Sequence, residues 1–164
     1  MGSGVSEVLI ISINEISERE FLHKKEIIPV LFSGTMQPRS YFFLSIDEKK
    51  QWLIDQVDIG LKNIPYMICS NSNLLFVATT FNLYVINYIN NKIVFANDLK
   101  TPCVDFFVKD DIVYVICETE VLYFSLKHNC IAKCDKFSYM LEDLSISKDK
   151  VVITLENQET IIIK

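Results

Sequence analysis

From residue 65 to residue 164 the chain alternates short apolar runs with short polar turns. Leu74-Leu75-Phe76-Val77-Ala78-Thr79-Thr80 leads through Phe81-Asn82 into Leu83-Tyr84-Val85-Ile86-Asn87-Tyr88, and Asn90-Asn91 then turns the chain into residues 92–97. The next stretch repeats the order: 112–117, a turn at Glu118-Thr119-Glu120, then 121–126, a turn at Lys127-His128-Asn129, and 130–134. A last stretch runs 151–156, turns at Asn157-Gln158-Glu159, and resumes at 160–163. The segments are too short for helices and rich in β-branched and aromatic residues, so each is predicted to be a strand.

The spacing is regular. Leu83 to Val121 is 38 residues, Val121 to Thr160 is 39, and Ile93 to Ile131 is 38. An earlier strand precedes each block, at 65–70, 102–108 and 139–147, with polar turns at 71–73, 109–111 and 148–150. Four short strands per ~40 residues is the period of a propeller blade. The second strand of each block is apolar at nearly every position, as burial on both faces requires. Third and fourth strands are expected to be more polar, towards a blade's outer edge.

The first block is less regular. Arg39 to Ile46, a turn at 47–50, and 51–55 match a third and fourth strand, and 27–32 supplies a second. Ser17-x-x-Glu20 is a capping box opening a short helix over 18–25. The apolar run 8–13 is either the first strand of this block or the outer strand that the last block lacks. The expectation is an all-β chain of three to four antiparallel blades over residues 27–164, in a small or half propeller with one short N-terminal helix. Residues 1–4, Met-Gly-Ser-Gly, are expected to be a tag remnant, leaving 5–164 as a single propeller-like domain.

These blocks resemble the short blades of quinoprotein-like propellers, in the motif Asn82-Leu83-Tyr84-Val85-Ile86 and again in Glu120-Val121-Leu122-Tyr123-Phe124. The family's turn glycine is replaced by Asn82 and Glu120, and its blade-closing tryptophan by Phe95 and Ala132. No quinone or other cofactor is therefore expected. The single Trp52 follows Gln51, and no Gly-His pair occurs, so the Trp-Asp repeat signature is absent.

Composition narrows the function. Half the residues are apolar and only four are glycine, which excludes disorder. No apolar run reaches the ~18 residues of a membrane span. Five cysteines in no framework spacing suit a reducing compartment, so a cytoplasmic location without membrane attachment is expected. The net charge is −5, and no basic footprint exists for direct nucleic-acid binding. His128, Cys130 and Cys134 are close in sequence, but Cys130 and Cys134 lie four apart on one strand, well over 10 Å, and cannot share one ion. His23 and His128 are the only histidines, and no nucleophile motif accompanies either. Neither catalysis nor a metal site is expected. The aromatics Tyr84, Tyr88, Tyr114, Tyr123 and Phe124 are expected to pack between blades.

Charge is distributed unevenly over the turns. Connections after second and fourth strands emerge at one end of a blade, and there acidic residues outnumber basic ones, with Arg39 counted among the latter. Asp98, Glu118, Glu120 and Asp135 are the expected partner-binding residues, facing a basic protein. A small, acidic, repeat-built chain without catalytic groups resembles the immunity proteins of bacterial contact-dependent growth inhibition systems. That resemblance implies an inhibitor of a toxin nuclease domain that covers its basic active-site surface. The alternative is a propeller-type scaffold subunit of a larger assembly.

Overall fold

The computed structural model describes residues 8–164. Residues 1–7, including the expected tag remnant, lie outside the described residues. Of the described residues 57% are strand and 6% helix, so the chain is all-β, built of propeller-type blades with one short N-terminal helix. It divides into two compact units, the first ending at Lys62 and the second running from Asn63 to Lys164.

The first unit holds β1 (Ile11–Ile16), α1 (Glu18–Lys24), β2 (Val30–Ser33), β3 (Arg39–Ile46) and β4 (Lys50–Val57). Ser17 caps the helix as its sequence predicts, its Oγ accepting from the Glu20 amide at 3.2 Å. Phe21 is the helix's buried residue and stacks on Tyr41 of β3, ring centroids 4.5 Å apart. The sheet order is β1-β3-β4-β2. One alternative is decided and one expectation changes here. β1 starts three residues later than the apolar run 8–13 and pairs with β3, so it belongs to the first sheet and does not complete the last one. β2 pairs with β4 in parallel, so this block departs from the antiparallel meander of a regular blade. An apolar run marks a strand but does not name its neighbour. The helix between β1 and β2 gives the chain length enough to return to the far edge of the sheet.

Arg39 is the polar centre of this unit. Its Nε donates to Asp55 Oδ1 at 2.7 Å and its Nη2 to the Asp55 carbonyl at 2.9 Å. Its Nη1 donates to Gly34 O at 2.7 Å, and the guanidinium lies over the Phe32 ring at 4.9 Å. Its side chain is 7% exposed, so it is a structural residue of the sheet and not a loop-face charge.

The second unit holds three consecutive blades. The first is β5 (Tyr66–Cys69), a single 3₁₀ turn at Ser70–Ser72, β6 (Leu74–Ala78), β7 (Asn82–Asn87) and β8 (Lys92–Asp98). The second is β9 (Cys103–Lys109), β10 (Ile112–Cys117), β11 (Glu120–Ser125) and β12 (Cys130–Lys136). The third, β13 (Leu141–Ile146), β14 (Val151–Leu155) and β15 (Thr160–Ile163), has three strands. All three are antiparallel meanders in chain order. Every residue of β6 is buried, which fits its unbroken apolar sequence. β11 is buried even more completely than β10, so the expected polar gradient begins only at the fourth strand.

Blades bury their faces against each other. Phe76, Val85, Phe106, Val115, Leu122 and Phe124 belong to the core between the first and second. Phe124 meets Phe76 edge-on at 5.1 Å and Phe95 at 5.2 Å. Phe107, Val121, Val151, Ile153, Leu155 and Ile163 form the core between the second and third. Tyr114 and Tyr123 lie along it, 5.0 Å apart, so these aromatics serve inter-blade packing as expected. The alternation within β11 explains the division. Leu122 and Phe124 point to one neighbour and Val121 and Tyr123 to the other.

Candidate functional site

The alternation of antiparallel strands places the turn between β10 and β11, the turn between β14 and β15, and the β8–β9 and β12–β13 connections at one end of the second unit. Backbone bonds knit that end together. The Glu118 amide donates to Pro102 O at 3.2 Å, and the Leu141 amide to Glu118 O at 2.7 Å. The Glu156 amide donates to Met140 O at 3.0 Å. Thr101 and Thr119 hydroxyls meet at 3.0 Å. The segment 138–140 is thereby held between the turn at Glu118 and the turn that begins at Glu156.

The four sequence-predicted residues have unequal fates. Asp98 is exposed at the end of β8, accepting from Asn82 Nδ2 at 2.7 Å. Glu118 is half-buried in its turn. Glu120 is not in the turn but begins β11, 4% exposed, with the Cys134 thiol donating to its carboxylate at 3.2 Å. Burial, and then that bond, push the Cys134 thiol up. Asp135 lies in β12, where Tyr123 Oη donates to it at 2.6 Å and Lys133 Nζ at 2.7 Å. Those two bonds hold its carboxyl below the usual range. Asp98 and Glu118 are thus open to a partner, whereas Glu120 and Asp135 are engaged within their own blade.

The end also carries residues that the sequence reading missed. Tyr139 is 51% and Met140 42% exposed in the β12–β13 connection. The sequence pattern predicts a strand over 139–147, but the strand begins at Leu141 and leaves both residues in the connection. Glu156 and Glu159 are exposed beside them. An exposed Tyr-Met pair among carboxylates has the composition of an interface centre with a charged rim.

At the opposite end the turns carry Lys92, Lys109, Lys127, Lys148 and Lys150 against Asp110, Asp111 and Asp149. At the first end Asp98, Glu118, Glu156 and Glu159 stand against Lys100 and Lys136, so the second unit has an acid excess at one end and a basic excess at the other. A cleft of about 400 Å³ opens at the basic end between residues 68–72, residues 108–111 and Leu126. Asp110 and Asp111 form the β9–β10 turn there, at φ 48° and 62°. Both are in the left-handed region that a two-residue hairpin loop demands. Among the described residues no group of three or more His, Cys, Asp or Glu is placed to hold a metal ion.

A distinction follows for stability. Glu120→Ala leaves the Cys134 thiol without its acceptor and opens space beneath the turn, and is expected to cost about 1–3 kcal/mol. Glu118→Ala, on a half-buried turn, is expected to stay within about 0.5 kcal/mol. Urea titration of the two variants checks this, and equal losses would place Glu118 in the core network as well.

No known protein family and no curated protein matches the sequence. Solved structures do resemble it. Sqt1 of Saccharomyces cerevisiae, a WD40-type β-propeller protein, matches 80% of this chain at 8% identity with a TM-score of 0.57. The computationally designed Ika4 protein matches 82% of this chain and 89% of its own, at 10% identity and a TM-score of 0.51. The blades are of the β-propeller type. This chain spans 45% of the length of Sqt1. Blade geometry is thus kept without the Trp-Asp signature, because face-to-face apolar strands suffice to build it. Neither likeness is to a toxin-immunity protein. No described helix is long and apolar enough to cross a membrane.

Proposed function

We propose that this chain is a non-enzymatic protein-binding module, a propeller-type scaffold element that docks a basic partner on the acidic end of its second unit. The carrying observation is Tyr139 and Met140, half exposed and held between the turns of Glu118 and Glu156. Propeller scaffolds act through their loops, and the aromatic and methionine side chains supply contact area while the carboxylates steer a cationic surface in. The five free thiols suit a reducing, cytoplasmic setting. The immunity reading shares this geometry, since a nuclease also presents a basic surface. No further observation favours a toxin over another basic protein, so the scaffold reading stands first.

The test is affinity capture with the wild type and with a Glu118→Lys/Glu156→Lys variant, followed by surface-plasmon kinetics on the captured protein at two salt concentrations. Charge reversal is expected to slow association about tenfold at low salt and to change dissociation less. An unchanged association rate in the folded variant would move the interface off this end. Capture of no protein, or only of acidic ones, would defeat the reading.

A further inference from the structure

Directly beneath the acidic turns, Cys103 of β9 and Cys117 of β10 are register partners across an antiparallel pair. The pairing shifts between Ile116 and Cys117, so a bulge lies immediately before the second thiol. Both residues are buried in the same inter-blade core, at 5% and 0% exposure. The Cys103 thiol donates to the Asp105 carbonyl at 3.5 Å, and Cys117 lies near enough to help raise its pKa. Residues opposite one another in an antiparallel pair have Cα atoms ~4.5–5.5 Å apart, within the ~4.4–6.8 Å that a disulfide spans. Cys130 and Cys134, four apart on β12, cannot meet each other.

We infer that Cys103 and Cys117 form a disulfide-competent pair, a cross-link site that ties β9 to β10 under peroxide. Hydrogen peroxide is the oxidant. The thiolate of one cysteine attacks a peroxide oxygen and becomes a sulfenic acid, releasing the first water after proton transfer. The sulfur of the other attacks the sulfenic sulfur and expels the second water. Two thiols and one peroxide give one disulfide and two waters, and the two sulfurs supply the two electrons. Burial pushes the Cys103 thiol well up, which disfavours its thiolate and makes the reaction slow. β9 is the edge strand of its sheet, so local fraying of that strand is the route by which peroxide enters. The resulting bond would sit one residue from the Glu118-Thr119 turn and two from Thr101, bracing the end where those two loops are bonded.

The experiment uses the full chain carrying Cys130→Ser and Cys134→Ser, which removes the exposed thiols at surface positions. The protein is incubated with hydrogen peroxide, denatured in an alkylating reagent, and its peptides are mapped by mass spectrometry. The expected result is loss of two of the three remaining thiols, a mass lower by two hydrogens, and a 103–117 linked peptide. The thermal midpoint should rise and return to its starting value with dithiothreitol. A Cys117→Ala version should show neither change. Three free thiols after oxidation, or a link from Cys69 instead, would overturn the proposal.

Discussion

Replacing Phe124 by alanine should cost the second unit about 3–5 kcal/mol. The side chain is wholly buried in β11 and meets Phe76 and Phe95 edge-on, on the face that joins the first two blades. Removing the ring loses its transfer free energy and leaves a cavity. The surrounding side chains stand on antiparallel ladders and can close in only slightly. The aromatic contacts add about 0.5–1.5 kcal/mol each beyond the buried area. Urea denaturation followed by circular dichroism measures the loss. Phe124→Leu, which refills most of the space, should recover a large part of it. A cost below about 1 kcal/mol would mean that the two blades are not joined through this core.

The second large effect is expected at Arg39. Alanine there removes every partner of the Asp55 carboxylate that the guanidinium supplies, and frees the carbonyls of Gly34 and Met36. Breaking a buried ion pair by deleting one partner costs about 3–5 kcal/mol, because the remaining charge stays in a poorly solvated place. Arg39→Lys should recover little. An ammonium cannot reach Asp55 and Gly34 together with the planar fork that these bonds use. Hydrogen exchange at β3 and β4 gives a local measurement. Unchanged protection of both strands in the alanine variant would show that the network is dispensable.

Much of the fold was legible in the sequence. The 38-residue offset placed the strands of the second unit to within two residues, because each blade is a local meander whose partners are the next strands along the chain. Residues 112–117 and 160–163 coincide with β10 and β15. What was not legible involves pairing between segments that are distant in sequence. β2 joins β4 in parallel across an intervening hairpin, and nothing in Val30-Leu31-Phe32-Ser33 names that neighbour. The candidate site was legible as an end of the blades and not as a set of residues. Turn position alone could not show that Glu120 enters β11 and turns inward, or that Asp135 is engaged by Lys133 and Tyr123. The clue lay in alternation: Glu120, Leu122 and Phe124 share a face, and two of the three are core residues. Tyr139 and Met140 were hidden by their apolarity, which reads as strand wherever burial is unknown.

The central claim, that the acidic end of the second unit is where a partner docks, is tested most directly by site-specific photo-cross-linking in the native host. A photoreactive residue in place of Met140 sits at the acidic end, and one in place of Lys148 at the basic end. The account predicts a discrete adduct with a basic protein from position 140 alone, lost when Glu118→Lys and Glu156→Lys are added. Adducts from position 148 alone, or none from position 140 in a folded chain, would contradict it.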